Sequence, residues 1–218
     1  MIAGLLLASG ASRRFGSNKL LADLAGRPVV RWSAEALADA VNALVVVVPR
    51  DSTALRAALG GLSARFVENA SAHEGMASSI RAGIAALPPE VEAVVIALGD
   101  QPTIDPHVVR RVVTTWRGAR AGTRAVTTAY ADGRGHPTLF AAELFPSLSA
   151  LDGDRGARDL LASLGDGVAA VEVGGGRPTD VDTPEALAAL ARSFCGAGGA
   201  GDGEGEGADP STRSARSG

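Results

Sequence analysis

At 218 residues the chain is long enough for one α/β domain with a sizeable core. Hydrophobic residues make up 46% and aromatics only 4%, so Val, Leu, Ile and Ala must fill that core. A formal net charge of −3 gives no global basic field to hold nucleic acid, and no apolar run approaches the roughly 20 residues of a membrane helix.

Ile2 to Ala8 is a short apolar run without a basic leader, so it reads as a buried strand rather than a signal peptide. Directly after it comes "ASGASRRFGSNK", Ala8 to Lys19. Its spacing fits neither Gly-x4-Gly-Lys-Ser/Thr nor Gly-x-Gly-x-x-Gly, which excludes a P-loop and a dinucleotide fingerprint. The chemistry still suits phosphate. Gly10 and Gly16 allow close backbone approach, Ser12 offers a hydroxyl, and Arg14 and Lys19 can neutralise anionic oxygens. The plain alternative is a solvated polar turn.

Pro28 to Ala40 reads as a helix with Pro28 in its first turn. Ala43 to Pro49 and Ala93 to Leu98 are further continuous apolar runs, as expected of strands covered on both faces of a parallel sheet. Between them, "EGMASSIRAG", Glu74 to Gly83, opens a helix whose Ile80, Ile84 and Leu87 share a face. Ser78 and Ser79 there serve either a ligand or the helix cap. Val109, Val112, Val113 and Trp116 mark another helix, and Leu187, Leu190 and Phe194 a last one. Alternating strands and helices predict a doubly wound α/β fold, with ligands beyond the carboxyl ends of the strands.

Two of those ends carry carboxylates. Gly99-Asp100-Gln101-Pro102 follows one strand, and Asp100 suits either a metal or the cap of the helix near Pro106. Arg177-Pro-Thr-Asp180-Val-Asp182-Thr-Pro184 follows the run Val168 to Val173. Asp180 and Asp182 alternate, which on an extended segment puts them on one face, while Thr183 reads as a helix cap. Two more polar stretches hold His136, a ligand or a structural turn residue, and Asp154 and Arg158. Cys195 is the only cysteine, which fits a reducing cytoplasmic setting. From Gly196 the chain is glycine-rich without large apolar residues, so a folded domain over 1–195 and a disordered tail over 196–218 are expected.

Together "LLASGASRRFGSNKLL", "EGMASSIRAGI", "LGDQP", "GRGHPTLF", "GDRGARDLL" and "DVDTPEAL" resemble the MobA-like nucleotidyltransferase family, with its GT-A-like, Rossmann-type three-layer sandwich and mostly parallel central sheet. The likeness is strongest to the branch that transfers CMP from CTP to the terminal phosphate of the molybdenum cofactor and releases pyrophosphate. It implies that Ala8, Ser9, Gly10, Ser12, Arg14, Lys19, Gly75, Ser78 and Ser79 surround the nucleotide, with Arg14, Lys19 and Asp100 catalytic. It implies Mg²⁺ on Asp100 and Asp182, with Asp180 in reserve, and a phosphorylated pterin acceptor facing His136, Asp154 and Arg158. A molybdoenzyme or its chaperone would be the protein partner. Leu7-Ala8-Ser9-Gly10 matches neither the Leu-Ala-Gly-Gly of the guanylyl branch nor the Leu-Ala-Ala-Gly of the cytidylyl branch. The side chain of Ser9 narrows the base pocket and leans toward a pyrimidine. Guanylyl transfer, another phosphorylated acceptor, or a non-catalytic nucleotide-binding delivery protein are the alternatives.

Overall fold

The computed structural model describes residues 1–10, 15–153 and 157–197. Ser12, Arg14, Asp154 and the segment 198–218 lie outside the described residues. In chain order the elements are β1 (Ile2–Leu7), β2 (Asp23–Leu24), β3 (Arg27–Pro28), α1 (Val29–Ala38), β4 (Ala43–Pro49), α2 (Thr53–Ala58), β5 (Ala64–Asn69) and α3 (Met76–Ala85). There follow β6 (Ala93–Leu98), α4 (Pro106–Arg117), β7 (Ala125–Tyr130), β8 (Gly133–Ala141), α5 (Phe145–Ser149), α6 (Arg158–Ser163), β9 (Val168–Glu172) and α7 (Pro184–Ala197).

Seven strands form one sheet in the order β5-β4-β1-β6-β8-β7-β9. The pairs β5–β4, β4–β1, β1–β6 and β7–β9 are parallel, and β8 runs antiparallel to both β6 and β7. The sheet is therefore mixed but mostly parallel. Strand periodicity divides the core into two layers. Ile2, Leu6, Val46, Val48 and Val95 face α1, α2 and α4, whereas Leu5, Val45, Val47, Val94 and Ile96 face α3 and α5. Each strand of the centre is apolar on both sides for this reason.

α1 is shorter than the expected helix over 28–40, because Pro28 is spent in the two-residue β3 and Asp39 already stands at the C-cap. α7 runs through Ala197, just past the composition change at Gly196. It packs Leu187, Leu190, Ala191 and Phe194 on a third cluster of Leu24, Val29 and Val181. Phe194 meets Trp32 edge-on at 5.0 Å. Among the described residues no helix is long and apolar enough to cross a membrane.

Candidate functional site

The carboxyl ends of β1, β5 and β6 converge with the first turn of α3 on a cleft of about 270 Å³. Ser9, Gly10, Lys19, Gly75, Ser79 and Asp100 line it. Ala8 and Ser78, also expected at the nucleotide, stand behind the wall, buried at 2% and 3% exposure.

Lys19 is the centre of the charged end. Asn18 caps the 3-10 turn at Lys19–Leu21 by accepting from the Leu20 N–H at 3.1 Å, which fixes where the lysine leaves the backbone. Nζ donates to Asp100 Oδ2 and to Asp182 Oδ1, both at 2.6 Å. Burial on its own pushes the ammonium pKa down. Hydrogen bonds to Asp100 and Asp182, with their charges, outweigh it, and the pKa ends above its usual 10.5.

Two backbone devices bring these carboxylates together. Asp105, not Asp100, caps α4 by accepting from the His107 N–H at 2.7 Å, which leaves Asp100 to the cleft. The Val181 N–H donates to the Asp100 carbonyl at 2.9 Å and docks the segment 180–182 beside β6. Val181 is fully buried between the two aspartates. They take different partners, however. Asp182 goes to Lys19, while Asp180 Oδ1 accepts from Gln101 Nε2 at 2.8 Å. Asp180 stands beside Asp100 and Asp182, and desolvation of its carboxyl above all raises its pKa. Thr183 is the cap of α7, its hydroxyl accepting from the Ala186 N–H at 3.2 Å.

The uncharged end is a buried polar network. Ser9 and Ser79 hydroxyls lie 2.7 Å apart, and Asn69 Nδ2 donates to Ser78 Oγ at 2.9 Å and Ser79 Oγ at 3.0 Å. Ser78 donates to the Gly75 carbonyl at 2.8 Å, so it satisfies an acceptor rather than capping helix N–H groups. The cap of α3 is Gly75 itself, at φ 97°, a conformation glycine adopts without strain. Asn69 has no counterpart among the residues expected from sequence. β5, "ARFVEN", is a half-exposed edge strand without a continuous apolar run, so its polar last residue carried no signal.

His136 lies in β8, not in a turn. Thr138 pairs with Ile96, which puts His136 at the carboxyl end of β6. Its Nδ1 sits 3.3 Å from the Ile96 carbonyl. Burial lowers its pKa, opposed by the charges of Asp180 and Asp100 and aided by Arg158. Arg158, first residue of α6, thus stands within electrostatic reach of the histidine.

Asp100 and Asp182 suit a hard divalent cation, since both converge on one cationic position. Among the described residues no group of three or more His, Cys, Asp or Glu could hold a metal, so substrate oxygens and water would complete its shell.

Residues 4–168 match the model of the MobA-like NTP transferase domain. The chain belongs to this family. It is 29% identical over 204 residues to the purine catabolism protein PucB of Bacillus subtilis, covering 88% of this chain and 97% of that one. A probable molybdenum cofactor guanylyltransferase of Natronomonas pharaonis is 37% identical over 108 residues, 49% of this chain and 52% of that protein. The crystal structure of Rv0371c from Mycobacterium tuberculosis superposes with a TM-score of 0.78 at 30% identity, over 88% of this chain and 97% of that one. Rv0371c has also been crystallised in complex with manganese. A nucleotidyltransferase of this family uses an NTP, and the cleft described above opens at the carboxyl edge of the sheet, where a doubly wound fold binds its ligands.

Proposed function

We propose that the chain transfers CMP from CTP to the terminal phosphate of the molybdenum cofactor and releases pyrophosphate. The observation that carries the proposal is the convergence of Lys19, Asp100 and Asp182 at one end of a cleft whose other end is closed by Ser9 and Ser79. The charged end suits a triphosphate and the closed end a small base.

The acceptor phosphate is already ionised, so its oxygen attacks the α-phosphorus in line without a strong general base. The bond from the α-phosphorus to the bridging oxygen breaks, and pyrophosphate leaves with that oxygen. Lys19 faces the growing charge on the phosphate oxygens, and Gly10 lets the backbone come close to them. Asp100 and Asp182 would hold Mg²⁺, which when bound supplies charge neutralisation at the phosphates. Manganese in Rv0371c supports a divalent ion at this fold. Arg14, outside the described residues, would add a second cation to the phosphates. His136 and Arg158 would face the pterin side, joined by Asp154, and a molybdoenzyme or its chaperone would receive the product.

Pyrophosphate release from each of four NTPs, with molybdopterin-type acceptors and Mg²⁺, tests this directly. CTP should be the donor, and Lys19→Ala or Asp100→Ala should lower turnover by about 10²-fold or more while folding normally. Nucleotide binding without turnover in the native chain would favour a delivery protein instead. The Bacillus subtilis relative, matched over 97% of its length, favours a second reading in which the same chemistry serves purine catabolism. Loss of growth on a purine as sole nitrogen source after deletion of the chain would support it.

A further inference from the structure

Among the described residues, three hydrogen bonds join the loop after β6 to the segment 179–181. The Val181 N–H donates to the Asp100 carbonyl at 2.9 Å, the Thr179 N–H to Thr103 Oγ1 at 3.1 Å, and Gln101 Nε2 to Asp180 Oδ1 at 2.8 Å. The first two hold the backbone of the segment and set its path. The third holds the carboxylate of Asp180 and no backbone group. Gln101 is only 6% exposed, and its Oε1 is buried without a hydrogen-bond partner among the described residues. An unpaired buried acceptor is a cost that an apolar side chain of the same length would not carry. What the amide gains at this position is its hold on Asp180.

That hold has a consequence for the charged end of the cleft. Asp180 stands within electrostatic reach of Asp100, Asp182 and Lys19. The Asp182 N–H donates to the Asp180 carbonyl at 3.1 Å, so the two aspartates leave one tight turn. Mg²⁺ takes one or two protein carboxylates and leaves the rest of its shell to phosphates and water. A third carboxylate would take a place that the phosphates use. We propose that Gln101 is a positioning residue that keeps Asp180 out of the cation's shell and leaves Asp182 as the second protein ligand. The inference rests on the reading of Asp100 and Asp182 as holders of a divalent cation, and it deepens that reading by naming what chooses between two neighbouring aspartates.

Gln101→Met keeps the length of the side chain and removes the donor and the unpaired acceptor together. Gln101→Leu serves in its place if circular dichroism shows that the methionine variant does not fold. Binding of Mn²⁺ alone to the full chain is read from the paramagnetic resonance of the free ion, and turnover from pyrophosphate release. Asp182→Asn should weaken Mn²⁺ binding by about tenfold or more, and adding Gln101→Met should recover most of that loss, because the released Asp180 takes over as ligand. Gln101→Met by itself should lower turnover by about tenfold, and adding Asp180→Asn should restore it, since the competing carboxylate is gone. A glutamine that merely shaped its loop would give neither recovery. Failure of either double variant to improve on its parent overturns the positioning role and leaves the cation reading standing. A native chain that binds no Mn²⁺, or that binds it equally well as Asp100→Asn, overturns the cation reading and the inference with it.

Discussion

Lys19 is nine-tenths buried and still charged, because two carboxylates 2.6 Å from Nζ more than offset its lost hydration. Lys19→Met removes that cation and leaves Asp100 and Asp182 facing each other. Since the Asp182 side chain is 49% exposed, water screens part of the repulsion. The expected loss at pH 7 is about 1–3 kcal/mol, the range for hydrogen bonds to charged groups, read from urea unfolding. The folded pKa lies above 10.5, so this contribution is complete at neutral pH and fades as pH rises through the folded value. A native chain whose stability advantage over Lys19→Met is the same at pH 11.5 as at pH 7 would contradict the pairing. The lysine was legible in the sequence as a cation after a strand. Its partners were legible only as carboxylates after other strands, since nothing local says that Asp182 and not Asp180 meets it.

At the scale of elements, α3 carries one wall of the cleft and depends on one close approach. A Cβ on Gly83 would lie 2.3 Å from Leu5 Cδ1, within the fully buried face of β1. Gly83→Ala gains about 1 kcal/mol of helix propensity. It also overpacks the α3–β1 contact at a cost of about 1–3 kcal/mol, so the net change should be destabilising. Thermal melts of Gly83→Ala, Leu5→Ala and the pair test the contact, and the pair should lose less than the sum of the single variants. β8 makes the other element-scale prediction. His136 is partly buried and its pKa lies below the usual 6.5, so the unfolded chain takes up a proton before the folded one does. Stability should fall as pH drops below 6.5, and the fall should be shallower in His136→Asn when melting temperatures are followed from pH 7 to pH 5. The sequence could not place β8, because "GRGHP" reads as a turn and its strand character comes from pairing with β6 and β7. β7 was hidden likewise by Thr127 and Thr128, buried at 1% and 0% exposure, the latter donating to the Pro137 carbonyl at 2.7 Å.

At the scale of the molecule, α7 packs residues 184–197 against an early part of the chain, Leu24 to Trp32. Its apolar face covers Trp32 and the β2–β3 hairpin, and its cap, Thr183, directly follows Asp182. The last helix therefore holds the second carboxylate at the cleft. A chain ending at Ala197 should keep the full melting temperature and turnover. One ending at Thr183 should melt lower, expose Leu24, Val29 and Val181, and lose turnover. Equal turnover in both would show that Asp182 is placed without α7.

The sequence by itself determined the central parallel strands, the helix faces and the polar loops beyond the strands. Those follow from local rules: β1, β4 and β6 are buried on both faces and so read as continuous apolar runs. It also carried the family, through short motifs in a fixed order. The tertiary structure alone decided that Lys19 joins Asp100 to Asp182, that Asp180 turns to Gln101, and that Asn69 donates to Ser78 and Ser79. These partners lie between 9 and 163 positions apart in the chain. Only the packing of the sheet brings them within hydrogen-bond distance, and no local pattern encodes which of several polar side chains will meet there.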